Sequence, residues 1–239
     1  MEPILRLALS SFEPYARRYG YDLIVGSGDS GGRGPSWGKV PLLRRLLAGY
    51  DEVLWIDSDV LILDPSADIA DALPDECFQG LVEHRISGVE RAVNCGVWLL
   101  RSDPRSTAFL DAVWDHTAEG EPGMWENLQV LDLLGYSTSR PLRPLRETRW
   151  LEGTALLDET WNAIGAEGKG RFRHYSAMTN EHRIRTMQLD LLDLGPGATL
   201  DRRAKGLLRR WQRRIYLKTR HRADSTRYLD RRISGHGEP

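Results

Sequence analysis

A chain of 239 residues, 41% hydrophobic and 28% charged, is long enough for one α/β domain with a substantial core. Two cysteines, Cys77 and Cys95, are too few for a disulfide framework or a zinc site, and they read as buried thiols of a reducing compartment. No stretch approaches the roughly 20 apolar residues of a membrane helix, and the N-terminus lacks the basic and apolar regions of a signal peptide, so a cytoplasmic protein is expected. The net charge of −1 hides an asymmetry: residues 201–239 hold 13 of the 33 Lys and Arg but only 4 of the 34 Asp and Glu, which makes the tail +9 and leaves −10 on the body.

Ile4, Leu7, Ala8, Phe12, Tyr15 and Tyr19 recur at helical spacing and Gly20 stops them, so the chain opens on a helix. Tyr21 to Val25 then reads as a strand. Gly26 to Pro35 has five glycines in ten positions but neither phosphate-binding pattern, which favours a flexible loop. Trp37 to Ala48 is a helix with Val40, Leu43, Leu46 and Leu47 inward, ended by Gly49, and Lys39 stands in its first turn.

The stretch Asp51 to Pro65 is the centre of the sequence. Val53 to Ile56 is the apolar run of a strand buried on both faces, and it stops at Asp57 and Asp59. Unpaired charge has no place inside a strand, so these acids project from its carboxyl end, where open α/β sheets bind ligands. A bend at Ser58 would let both point at one hard divalent cation, with phosphate oxygens completing its shell. Val60 to Leu63 is then expected to resume the sheet.

Farther on, Ala67 to Leu73 reads as a short helix and Cys77 to His84 as a strand. Asn94 and Gly96 bring a polar group and a permissive backbone to the apolar strand Val97 to Leu100. Two amphipathic helices are expected, Pro104 to His116 and Trp125 to Leu134, the second carrying Glu126, Asn127 and Gln129. Residues 140–150 are basic and broken by proline, hence a loop, and Arg171 to Tyr175 is the last strand. In the tail, Leu200, Ala204, Leu207, Leu208, Trp211 and Ile215 share one helical face among arginines, a pattern that suits anionic lipid or docking on the acidic body. No motif supports nucleic-acid contacts.

The apolar run, Asp-x-Asp, second apolar run and Asp-Pro together resemble the metal-binding centre of nucleotide-sugar-dependent glycosyltransferases of the GT-A fold. With Trp37-Gly38-Lys39 before it and Asn94 to Ser102 after it, the chain is similar more narrowly to the galactosyl, mannosyl and xylosyl transferase family that includes the xyloglucan xylosyltransferases, in a short bacterial-type form. The resemblance runs from about Tyr15 to Met187.

It implies a single GT-A-like α/β domain over residues 1–195, with a largely parallel central sheet whose usual first strand is not recognisable, and a helical tail over 196–239. It implies transfer of a hexose or pentose from a nucleoside diphosphate sugar, UDP-linked or GDP-linked, to a glycan or lipid-linked acceptor with retention of configuration. Asp57, Asp59 and His174 would hold Mn2+ or Mg2+; Lys39, Asp57, Ser58 and Asp59 would meet the donor; Glu126, Asn127 and Asn94 would lie near the reacting sugar. Asn127 stands where the family has glutamine. Beside each role a plainer one stays open: a solvated lysine at 39, a turn cap at Asn94, a dipole-favouring acid at Glu126 and a structural histidine at 174. The alternative function is a non-catalytic scaffold or carbohydrate-binding protein on the same fold.

Overall fold

The computed structural model describes residues 2–192 apart from 27, 88, 121–124 and 165–169. The tail helix expected beyond residue 195 lies outside the described residues. The chain divides into two units at Arg183–Ile184, and the fold below is that of the first, apart from the last helix, which runs past the boundary.

Helix α1 (Glu2–Tyr19) ends where Gly20 takes φ 77° and Tyr21 N donates back to Ala16 O. Residues 21–25 follow without strand structure. Tyr21 is drawn by its hydroxyl to Asp68 Oδ1, and no neighbouring strand among the described residues pairs with the segment, so its β-rich composition has no ladder to join. A 3-10 turn, Pro35–Gly38, leads into α2 (Lys39–Leu46), shorter than expected because its last turn tightens at Leu47.

Strand β1 (Glu52–Ile56) is not buried on both faces as expected, because it lies at the edge of its sheet and only Val53 in it is buried; the Asp57–Asp59 turn and β2 (Val60–Ile62) follow. Next come β3 (Gln79–Arg85), β4 (Arg91–Arg101), α3 (Pro104–Asp115), α4 (Trp125–Leu133), a single turn α5 (Arg149–Glu152), β5 (Thr154–Leu157), β6 (Ala163–Ile164), β7 (Phe172–His174) and α6 (Asn180–Leu191). Residues 67–73 contain only a 3-10 turn at Ala70–Ala72, and β5 lies in a stretch that sequence periodicity left blank.

The α/β class is as expected, but the strand pairing is mixed. One sheet runs β1-β4-β3-β5, and only β3 and β5 are parallel in it. The reason is chain economy: β3 reverses into β4 across five residues, too short for a crossover, so that pair must be antiparallel. Strand β2 does not rejoin this sheet. It forms a second one, β2-β7-β6, with Val60 opposite His174. The chain therefore changes sheets at Asp57–Asp59.

Most of the core lies between the first sheet and helices α2, α3 and α4, around Trp98, Phe78, Phe109, Leu100 and Val130. Its buried polar groups are paired: Trp98 donates to Gln79 Oε1 at 2.9 Å, and Gln79 donates to Thr154 Oγ1 at 2.7 Å. Helix α1 packs on the other sheet, where Ile62 N donates to Ser11 Oγ and the Tyr15 ring meets Phe172 edge-on. No helix among the described residues is long and apolar enough to cross a membrane.

Candidate active site

An irregularity in β4 makes the site. Leu81 of β3 pairs with Trp98, but the next residue, Val82, pairs with Asn94, so Cys95, Gly96 and Val97 have no partner on β3. Such bulges free backbone donors that must be satisfied another way. Here two side-chain amides do it. Asn127 Oδ1 accepts from Cys95 N at 2.9 Å while its Nδ2 donates to Val93 O, and Asn94 Oδ1 accepts from Gly96 N at 2.9 Å. Asn94 thus lies inside a strand, and Asn127 is a strut between α4 and β4.

On the other edge of the bulge, Asp57 N donates to Gly96 O at 2.7 Å, extending the β1 ladder one residue into the turn. Val60 N then donates to Asp57 O, closing the turn around half-buried Ser58. Tyr175 N donates to Asp59 O, which locks the far side of the turn to the end of β7. The two acids are consequently held between the two sheets.

Ligand atoms of Asp57, Asp59 and His174 all lie within 4.8 Å of one another. His174 Nε2 is 3.3 Å from Asp59 Oδ1, and its Nδ1 lies 3.0 Å from Asn162 Oδ1, which orients the ring. Asn162 in turn donates to Asn94 Oδ1 at 2.9 Å. Gly96 permits this approach, since a Cβ there would fall 2.3 Å from His174 Cε1.

Lys39 is not solvated. It is 3% exposed, its Nζ lying 3.1 Å from Asp57 Oδ1 and 2.9 Å from Glu126 Oε1 while donating to Cys95 O at 3.3 Å. Burial alone would lower its pKa, but Asp57, the Cys95 thiol and Glu126 outweigh it and push the pKa up, so Lys39 stays charged. Glu126 is likewise buried, in an ion pair, and so not a solvent-facing helix acid. Cys95 is buried as expected, and burial foremost pushes its thiol pKa up, which keeps it an inert thiol.

Three partners escaped the sequence reading. Trp55 Nε1 donates to Asp57 Oδ1 at 2.6 Å, Arg183 Nε lies 3.3 Å from Asp59 Oδ2, and Cys95 touches both Lys39 and Glu126. Trp55 had looked like core, and nothing near Arg183 in sequence marks it. Burial would raise the Asp59 pKa, yet the His174 hydrogen bond and the charges of His174 and Arg183 bring it below the usual carboxylate value. Each aspartate therefore has a cation beside it and an oxygen facing the shared centre.

No family model matches the chain, and no curated protein is significantly similar to it. Solved structures do match. The chain is similar to the crystal structure of a glycosyltransferase involved in the glycosylation of the major capsid of PBCV-1, with a TM-score of 0.55 and 14% identity over 77% of this chain and 92% of that one. The chain shares the fold of that glycosyltransferase. A likeness to the apo-form glycosyltransferase GlyE of Streptococcus pneumoniae TIGR4, at TM-score 0.46 and 15% identity over 87% of this chain and 53% of that one, adds nothing to that assignment. Within this fold, Asp57, Asp59, His174, Lys39, Glu126, Asn94 and Asn127 all fall around one bulge; Ser58 completes the turn.

Proposed function

We propose that the protein is a metal-dependent glycosyltransferase that moves a hexose or pentose from a nucleoside diphosphate sugar to an acceptor hydroxyl, with retention of configuration. The observation that carries this reading is the convergence of Asp57, Asp59 and His174 at the carboxyl end of β1. Two carboxylates and one imidazole suit Mn2+ or Mg2+, and the Asn162 contact to His174 Nδ1 is the outer-shell support that metal-binding histidines have. When bound, the cation neutralises the charge that develops on the departing diphosphate.

The chain's own residues supply the rest. Arg183 and Lys39 each balance one aspartate, so the centre is not strongly anionic before the donor arrives. Cation and diphosphate should therefore bind together, each removing the charge that disfavours the other. Lys39 holds Asp57 and Glu126 at fixed separation, and Glu126, tied to that ammonium, is poorly placed to act as a free nucleophile. Retention by attack from the leaving-group face of the sugar agrees with this. Ser58 N–H or hydroxyl is left to the donor, and the acceptor is a glycan or a lipid-linked sugar. Residues 201–239, at +9, bring the enzyme to anionic membrane where such acceptors reside.

Calorimetry of UDP and GDP with and without Mn2+, followed by hydrolysis of a panel of nucleotide sugars, tests the reading. Metal-dependent binding of one nucleotide, lost in Asp57→Ala and Asp59→Ala, is expected. Equal affinity for wild type and both variants would remove it, and binding without turnover of any donor would favour the non-catalytic alternative.

A further inference from the structure

The residue before Glu126 is unlike its neighbours. Helix α4 buries every residue from Glu126 to Leu131, yet Trp125, its first residue, is 54% exposed. An exposed indole forfeits the largest apolar burial a side chain can offer. Its backbone also sits at φ 40°, a region that a bulky L-residue enters only under strain, and such strain gathers at functional sites.

The surroundings hold it there. Gln129 Nε2 donates to Trp125 O at 3.4 Å, and Gln129 Oε1 accepts from Ala118 N at 2.6 Å. Gly34 backs the ring, since a Cβ there would lie 3.9 Å from its Cδ2 and Cε2. The loop carrying Gly34 makes several contacts with the helix that follows it. Gly28 N donates to Gly38 O at 3.1 Å, where a Cβ on Gly28 would come within 2.2 Å of that oxygen. Inside the loop, the Arg33 guanidinium lies 4.4 Å from the Trp37 ring centre and 4.5 Å from that of Trp114. This base supports an indole that is 54% exposed.

We propose that Trp125 is a stacking platform for a pyranose ring of the acceptor. This deepens the glycosyltransferase reading and rests on it for the neighbouring donor. Contacts run from Glu126 to Lys39 to Asp57, so Trp125 adjoins the Glu126 side of the centre, where the transferred sugar belongs, and not the Asp59 and Arg183 side. A pyranose presents one face of C–H bonds ringed by hydroxyls. An indole matches it with an apolar surface and one N–H donor.

The full chain, 15N-labelled, gives the test. The Trp125 indole N–H resonance is identified by its loss in Trp125→Phe, and methyl glycosides of glucose, galactose, mannose and xylose are titrated singly. At least one should shift the resonance saturably. By saturation-transfer measurement, Trp125→Ala should weaken that glycoside about tenfold and Trp125→Phe less, as a stacked ring predicts. Affinity for UDP with Mn2+ should stay within about twofold of wild type in both variants, a change too small to count as a lost stacking contact. Failure of all four glycosides to move the resonance overturns the platform, as does an equal loss of UDP affinity in Trp125→Ala, which would give the ring to the nucleotide. A saturable glycoside response in a protein that shows no metal-dependent UDP binding keeps the platform and removes the donor reading instead.

Discussion

Lys39 is the residue on which the centre depends most, because it is the cation shared by two carboxylates, one of them buried. Lys39→Met leaves Glu126 in the interior without a counter-charge, and the loss on urea unfolding should be about 3–5 kcal/mol. Adding Glu126→Gln removes the stranded charge and should recover a large part of that loss; a double variant as unstable as the single one would mean that the pair is not coupled. His84 gives a separate handle. Its Nε2 is buried with no hydrogen-bond partner among the described residues, and burial foremost, against Glu159 and with help from His174, lowers its pKa to about 4. The unfolded state, with a histidine pKa near about 6.5, binds the extra proton first, so stability contributed by neutral His84 is complete above that value and is lost as pH falls toward 4. In the metal-free protein that loss is of order 3 kcal/mol. His84→Leu should flatten the acid limb between pH 6.5 and 4 at little cost at pH 7; an unchanged slope would show that His84 does not titrate there. Asp59, with its lowered pKa, acts only below the usual carboxylate range, so the two effects separate along the pH axis.

Among the elements, β4 matters most, since one strand carries both the core and the site. Its outer half is apolar and paired on both sides, whereas its bulge takes Cys95 and Gly96 out of the β3 ladder beside the acids. The cost of that arrangement is met by Asn94 and Asn127, whose amides replace ladder bonds, so both side chains are already engaged before any sugar arrives. Gly96 is the position at which this element and β7 meet. Gly96→Ala would put a methyl 2.3 Å from His174 Cε1 and 2.8 Å from Asn94 Oδ1, both side-chain atoms that can yield. The fold should therefore survive, by circular dichroism, while His174 leaves its place and Mn2+-dependent UDP affinity falls by at least the roughly 10-fold that loss of outer-shell support alone costs. Retained affinity would show that His174 is not needed for metal binding. His174→Ala should cost less than either aspartate variant, because water can take a vacated position on an oxygen-preferring ion.

Over the whole molecule, charge is segregated: −10 on residues 1–200 and +9 on residues 201–239. Each basic residue near an anionic surface contributes roughly 1 kcal/mol, so a few acting together suffice for reversible recruitment. The full chain should sediment with anionic vesicles at low salt, ignore neutral ones, release as salt shortens the screening length, and lose binding when residues 201–239 are removed. Unchanged vesicle binding after truncation, or an insoluble truncated protein, would make the tail a part of the folded body instead.

That the apolar run ends in two acids at the carboxyl end of a strand was legible because charge is a property of the residues themselves: a strand interior rejects carboxylates wherever it is placed; that the strand would lie at a sheet edge with only Val53 buried was not. Helices α1, α3 and α4 followed from periodicity to within two or three residues of their observed ends. What periodicity could not supply was pairing. Whether Val60 rejoins β1's sheet or crosses to β7, and whether Tyr21 to Val25 finds a ladder, depend on which edges are free once the chain has collapsed. The centre shows the same division. Two acids two residues apart can be read from local sequence, but Lys39, His174 and Arg183 reach them across 18, 115 and 124 residues, and those contacts exist because two sheets and a bulge bring the segments together. Local chemistry decided which residues had to leave the core, and long-range packing decided which charges they met there.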